Sequence, residues 1–449
     1  MRLTMRLVKR KIAEEWSYED RGKIIALLLF SFFLAAPLFS GEPLPLSVNG
    51  ESALLMNAKT GAILYEKNGY VPRNTASTTK IATALLALKM SEGDLEQRIT
   101  AKKEALVYIT PQAKKQSNYR APHYWLETDS TQIGIKLGEE FSLKELLHAL
   151  LLCTANDAAN VIAEHFGRTI PHFMDSVNLY LKTIGCQNTH FNNPSGLSNP
   201  DHFTTAYDLA CMAREGMRDP IFREIVKKTL YVCPQTNLTP ERNLVQTNRL
   251  LKKGPFFYPK AVGVKTGTTS AAGKNLVAAA EDGERLLIAV ALGYRGGRAE
   301  LYQDVIKMFE AAFSQPKMRR YLFNKGPLKL EKWIKGGKTA LRTYLPEGVY
   351  YDFYPAEESG VKAEVIWQQL TLPIMPDQPV GSIRVINSGG EILSETALLA
   401  KERVEGTLTH RLKKMMSSGT GRKPLYFTTG TLCALFCIFL FKRKRLARK

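Results

Sequence analysis

A serine and a lysine stand three residues apart, at Ser77 and Lys80, where a stretch that reads as a helix to about Met90 begins. Residues at that spacing share one helix face, one turn from each other. The segment behind them, residues 81–88 (IATALLAL), is apolar on every side, and such a helix belongs in a core. Burial disfavours an ammonium, so Lys80 is expected to titrate below the ordinary lysine range. A neutral amine beside a hydroxyl is an activated-nucleophile pair. Ser77 also lies at the helix N-terminus, where free N–H groups and the macrodipole favour negative charge. A nucleophile, a base and part of an oxyanion site thus come from Ser77-Thr78-Thr79-Lys80.

Two further elements carry chemistry. Thr154-Ala155-Asn156-Asp157 falls where one apolar helix ends and another starts, a place where Thr and Asn also serve as ordinary caps. Lys265-Thr266-Gly267-Thr268 ends a strand. Its lysine can hold a carboxylate, Thr266 can hydrogen-bond it, and the glycine admits close approach of another backbone. S-x-x-K, then hydroxyl-x-Asn, then K-T-G, in that order and about 76 and 111 residues apart, is the set shared by penicillin-binding proteins and β-lactamases. Residues 74–86 (NTASTTKIATALL), 138–159 (GEEFSLKELLHALLLCTANDAA) and 264–275 (VKTGTTSAAGKN) closely resemble the D-alanyl-D-alanine carboxypeptidases, the low-molecular-mass penicillin-binding proteins of serine peptidase type. The resemblance spans roughly residues 48–405.

The resemblance implies a role for each matched residue. Ser77 would be the acylated nucleophile and Lys80 its base. Thr154 stands where the family usually has serine, and Asn156 would hold the substrate amide. Lys265, Thr266 and Gly267 would bind the terminal carboxylate and edge the cleft. Backbone N–H groups of Ser77 and Thr268 would form the oxyanion hole. Arg298 is a further carboxylate candidate. The implied reaction removes the terminal D-alanine from peptidoglycan stem pentapeptides, with β-lactams as covalent inhibitors and no metal or organic cofactor. The same chemistry serves a D,D-endopeptidase or transpeptidase on cross-links. A β-lactamase and a non-catalytic envelope scaffold are the more distant rivals. Thr154 is the departure from the family pattern: it keeps the hydroxyl but adds a methyl and stiffens χ1.

The elements that must position these residues read as α+β. Residues 52–56 and 62–65 form a hairpin about a turn at 57–61. Ser142 and Glu145 have capping-box spacing before a helix ending near Cys153. Helices follow from about Asp157 to His165, His172 to Ile184 and Thr205 to Glu215. Three β-segments come next, at 261–266, 275–280 and 286–292, the last two joined by a tight turn at 281–284. A helix from Leu301 to Phe313 closes the domain. Residues 108–129 are polar, contain two prolines and read as a long loop. The expected architecture is a β-lactamase/transpeptidase-like catalytic domain at 42–315, an antiparallel sheet with helices plus a helical subdomain. A small all-β domain is expected at 316–405 and a basic stalk at 406–424.

The 449 residues carry a net charge of +20, which resembles a nucleic-acid signal until it is located. The tail 442–449 holds six basic residues, and residues 317–342 hold nine against the single acid Glu331. No aromatic-basic alternation accompanies them, so no nucleic-acid partner is expected, and the tail suits an anionic membrane surface. Residues 24–36 form an apolar run of about 13 after Arg21 and Lys23, a signal-peptide pattern within 1–41. Residues 425–441 form a second run of 17, just long enough for a C-terminal transmembrane helix. The positive-inside rule then makes the tail cytoplasmic and places the rest outside the bacterial inner membrane. The six cysteines and seven histidines show no metal-ligand spacing and no disulfide framework.

Overall fold

The computed structural model describes residues 41–417, apart from 42, 359 and 388. Residues 1–40 of the expected signal region 1–41, the end of the stalk, the apolar run 425–441 and the tail 442–449 lie outside the described residues. Among the described residues no helix is long and apolar enough to cross a membrane.

The chain forms two compact units. The first comprises Leu38–Met318 with a later excursion, Asp352–Gly360. That excursion belongs here because Glu357 makes an ion pair with the buried Arg285 and accepts from Asn57 Nδ2 at 2.6 Å. Such a return of the chain cannot be read from a linear boundary at 315.

The first unit is built on a five-stranded antiparallel sheet. Its strands are β1 (Ser52–Asn57), β2 (Ile63–Lys67), β3 (Ala261–Thr269), β4 (Gly273–Asp282) and β5 (Arg285–Tyr294). Their spatial order is β2-β1-β5-β4-β3, which leaves β3 at one edge. The expected hairpin between β4 and β5 is present: Asp282 pairs with Arg285, and Gly283 takes a φ of +57°. Side chains alternate across the sheet as a period of two requires. Leu54 and Met56 of β1 enter the core beneath the helices, whereas Ala53 and Leu55 enter the core on the opposite face.

Helix α1 (Lys80–Met90) lies in the helical core, with Lys80 through Leu88 all buried. A 3-10 turn, Ala76–Thr79, precedes it and holds Ser77. Between α1 and the next long helix the structure departs from the expected loop. Residues 108–129 contain the paired short strands Tyr108–Ile109 and Leu126–Glu127 and a helix, α2 (Pro111–Gln116). Thr110 caps it, accepting from Ala113 N at 3.1 Å, and Pro111 fits its first turn, so this proline starts a helix instead of breaking one.

The capping box at Ser142 and Glu145 is formed, opening α3 (Leu143–Leu151). Next come α4 (Asn156–Gly167), α5 (Ile170–Thr183), α6 (Ala206–Gly216) and α7 (Pro220–Lys227). The start of α5 lies two residues earlier than expected, because Thr169 caps it and Pro171 sits in its first turn. Nothing in the periodicity announced α7, which begins at the cap Asp219 and Pro220, nor the strand pair Leu230–Cys233 and Arg242–Val245. Helix α8 (Arg298–Phe313) covers the other sheet face with Leu301, Val305, Met308 and Phe309.

Among the described residues, the second unit takes in Arg319–Tyr351 and residues 361–417. Its main element is a five-stranded antiparallel sheet in the order Gly326–Lys332, Leu341–Leu345, Ile392–Ala400, Pro379–Asn387, Val361–Trp367. Within the expected stalk, Leu408–Ser417 form a helix, while Gly406 bridges to Gly337.

Candidate active site

The turn 76–79 is pinned so that one hydroxyl stays available. Thr78 Oγ1 donates to Thr75 O at 2.7 Å. Thr79 Oγ1 lies 2.5 Å from Thr75 Oγ1 and 2.9 Å from His202 Nε2. Thr78, Thr79 and His202 are buried, and burial pushes His202 down to about 3, which keeps it a neutral hydrogen-bonding group. Ser77 alone of the three is half-exposed.

Lys80 is the first residue of α1 and is fully buried. Its Nζ lies 2.9 Å from Ser77 Oγ, 2.6 Å from Asn156 Oδ1 and 2.7 Å from Ser195 O. Burial, reinforced by the nearby Lys265 charge and opposed by Asp157, holds Lys80 well below the ordinary lysine range. A neutral amine has two N–H donors and one lone pair. Asn156 Oδ1 and Ser195 O are acceptors only, so they take the two donors. The lone pair is left for the Ser77 hydroxyl, the arrangement a general base requires.

Asn156 opens α4, and its N–H donates to Thr131 O at 2.8 Å. The buried Asp157 carboxylate beside it accepts from Ile133 N at 3.1 Å, Ile135 N at 3.0 Å and Ala158 N at 2.9 Å. This ties residues 131–135 to the helix start. Thr154 departs from ordinary geometry, with a φ of +63° for a β-branched residue. Its Oγ1 is buried without a hydrogen-bond partner among the described residues, although the residue lines the cleft.

The third element arrives on β3. Gly267 packs on the Ser77 turn: a Cβ there would lie 3.0 Å from Ser77 N and from Thr75 O. That close approach is why glycine stands at this position. Asn275 on β4 clamps the same turn, its Nδ2 donating to Asn74 O and Thr75 O, each at 3.1 Å. Thr266 Oγ1 is 2.7 Å from Thr247 Oγ1. Lys265 differs from expectation: it is fully buried, its Nζ donates to Thr266 O at 2.9 Å, and it is absent from the cavity wall. From beneath Thr266 its charge acts on the cavity only through its field. Burial brings it down to about 7.

A cavity of about 460 Å³ joins these parts, lined among others by Ser77, Thr154, Thr266, Gly267, Thr268 and Arg298. Arg249, Lys252 and Lys274 add to Arg298 on its wall, and no carboxylate lines it among the described residues. The structure thus brings together all nine residues singled out in the sequence, with Lys265 behind the wall. Ser195, which holds Lys80 through its carbonyl, is not among the residues singled out in the sequence. Its place is set by Asn193 Oδ1, which accepts from Gly196 N at 2.8 Å and Leu197 N at 3.0 Å. Gly196, at φ +88°, was the available signal, since a Cβ there would lie 1.9 Å from Ala76 O.

Residues 40–296 match the family described as D-alanyl-D-alanine carboxypeptidase. The chain belongs to that family. It is 30% identical to the D-alanyl-D-alanine carboxypeptidase DacF of Bacillus subtilis over 382 residues, 84% of this chain and 91% of that protein. It is 27% identical to DacD of Salmonella typhimurium over 411 residues, 87% of this chain and 97% of that protein. Among solved structures, the D-alanyl-D-alanine carboxypeptidase DacD of Francisella tularensis is 23% identical with a TM-score of 0.55, covering 82% of this chain and 96% of that one, a likeness of fold. The protein is accordingly a serine D-alanyl-D-alanine carboxypeptidase, a hydrolase of the penicillin-binding family.

Two expected results arise from this geometry. With Lys80 as the base and Lys265 as the cation for a peptide carboxylate, the expected active form of the free enzyme has Lys80 neutral and Lys265 charged. Since free Lys265 loses its proton near 7, kcat/KM should fall as pH rises through that value. A bound carboxylate favours the ammonium, so the alkaline limb of kcat should lie at higher pH. Coincident limbs in steady-state profiles would refute this. Thr154 supplies the second. Thr154→Gly relieves a left-handed residue and should raise stability by about 1 kcal/mol while cutting D-alanine release by about 100-fold. Thr154→Ser should keep the release; thermal melts read beside the assay decide.

Proposed function

We propose that Ser77 Oγ attacks the carbonyl of the penultimate D-alanine of a peptidoglycan stem pentapeptide. Its proton passes to Lys80 Nζ as the Oγ–C bond forms. The peptide C–N bond then breaks, and the nitrogen of the leaving D-alanine takes up the proton held by Lys80; the unpartnered Thr154 hydroxyl at the cleft carries it once it turns toward Nζ. Water cleaves the resulting ester by the same base and restores Ser77. The backbone N–H groups of Ser77 and Thr268 hold the oxyanion. Asn156, whose Oδ1 faces Lys80, has its amide N–H groups to offer a substrate carbonyl. Thr266, Thr268 and Arg298, with Lys265 beneath, receive the terminal carboxylate. β-Lactams acylate the same serine.

The observation that carries this reading is the buried Lys80 amine, 2.9 Å from Ser77 Oγ with its other two partners both acceptors. The test is to incubate the full chain with fluorescent penicillin and with a peptide ending in D-Ala-D-Ala. Covalent labelling, slow loss of the label and release of free D-alanine are expected. Rapid turnover of the penicillin would instead mark a β-lactamase. A second reading, cleavage of D-alanyl cross-links, draws on the four cations of the leaving-group cavity, which suit a leaving group with more than one carboxylate.

The sequence also supports a site of action. The apolar run 24–36 after Arg21 and Lys23, and the run 425–441 before six basic residues, suit a catalytic unit tethered outside the bacterial cytoplasmic membrane. Removal of residues 425–449 should release the protein from membranes, as fractionation would show.

A further inference from the structure

Ser77 lies between two cavities. The leaving-group cavity occupies one side. On the other lies a cavity of about 760 Å³, bounded by residues 195–198, 268–271 and parts of 111–131. Strand β3 is an edge of its sheet, and its end, with the residues that follow, runs along this second cavity. An extended peptide can add to such an edge. With the scissile carbonyl at Ser77 and the terminal carboxylate on the Arg298 side, the rest of the stem must run over the second cavity. A strand advances about 3.3 Å per residue, so the residue before D-alanyl-D-alanine falls within it.

The wall facing that residue comes from 108–129. It presents two cations, Lys114 and Lys115, and two carboxylates, Glu127 and Asp129. Lys114 is almost wholly buried and paired with Glu127 at 2.8 Å, a fixed dipole in the wall, whereas Lys115 and Asp129 are exposed. A buried ion pair adds little to stability, because desolvation offsets its attraction. Its place on the wall of a cavity that also reaches Ser77 is better explained by recognition. A side chain ending in an ammonium alone would satisfy Asp129 and leave Lys115 without a partner from the substrate. One ending in both an ammonium and a carboxylate answers both signs.

We infer that this cavity receives the side chain of the stem residue before D-alanyl-D-alanine and selects one ending in an ammonium and a carboxylate over one ending in an ammonium alone. The inference rests on the carboxypeptidase reading above. The probes are two N-acetylated tripeptides, X-D-Ala-D-Ala, with X either meso-2,6-diaminopimelate, its D-centre free, or L-lysine. Two ratios are read on the full chain: D-alanine release, and protection of Ser77 from fluorescent penicillin. Each should favour the diamino diacid by about tenfold, the worth of one charge-assisted hydrogen bond. Lys115→Gln and Lys114→Met should each bring the ratios toward one, and any general loss cancels within a ratio. Equal values for both peptides, or a preference that both variants retain, would overturn the inference. If neither peptide yields D-alanine, the carboxypeptidase reading fails, and the protection ratio still decides the subsite.

Discussion

Lys80→Met should slow acylation by fluorescent penicillin by about 10³–10⁴-fold, the loss expected when a positioned general base is removed. Methionine is close to lysine in length and unbranched, so it can occupy the same buried channel. The change strands Asn156 Oδ1 and Ser195 O, which now take hydrogen bonds from Nζ. Two unsatisfied acceptors cost about 1–3 kcal/mol each, but the burial of an amine is relieved at the same time. The folded state should therefore persist by circular dichroism, with a modest change in melting temperature. Near-normal labelling in stopped-flow or gel assays would show that another group removes the Ser77 proton.

Ser77→Ala should abolish covalent labelling and lower D-alanine release by about 10⁶-fold, to the level of bound but unactivated substrate. The hydroxyls of Thr78, Thr79 and Thr154 are not placed to substitute. Thr78 Oγ1 is committed to Thr75 O, and Thr79 Oγ1 to Thr75 and His202. Thr154 Oγ1 has no amine hydrogen-bonded to it among the described residues. Lys80 would keep two of its three partners, so the cost in stability should stay within about 1 kcal/mol. Labelling retained at full stoichiometry in this variant would place the nucleophile elsewhere. The two variants divide the roles: Lys80→Met leaves a nucleophile without its base, and Ser77→Ala leaves the base without anything to activate.

Local signals served well where one short-range rule decided the outcome. The Ser77–Lys80 spacing was enough, because helix geometry alone brings positions three apart together. The capping box at Ser142 and Glu145 and the tight turn at Gly283 were legible for the same reason. Segment 108–129 was misread because its prolines were weighed as breakers, while Thr110-Pro111 is a cap followed by a helix start. Helix α7 was missed although Asp219-Pro220 carries the same signal.

By itself, the sequence determined the three chemical elements, their order, and that Lys80 would sit at the foot of an apolar helix. Residue type and spacing along one chain are sufficient for that. Only the tertiary structure decided what surrounds the amine. The carbonyl of Ser195 lies 115 residues from Lys80 along the chain, and no local rule connects them. Folding also put Lys265 behind the cavity wall, at a depth where loss of solvent, not contact with a carboxylate, governs its proton. Depth and hydrogen-bond partners across long separations are properties of packing, and packing is set by the whole core at once.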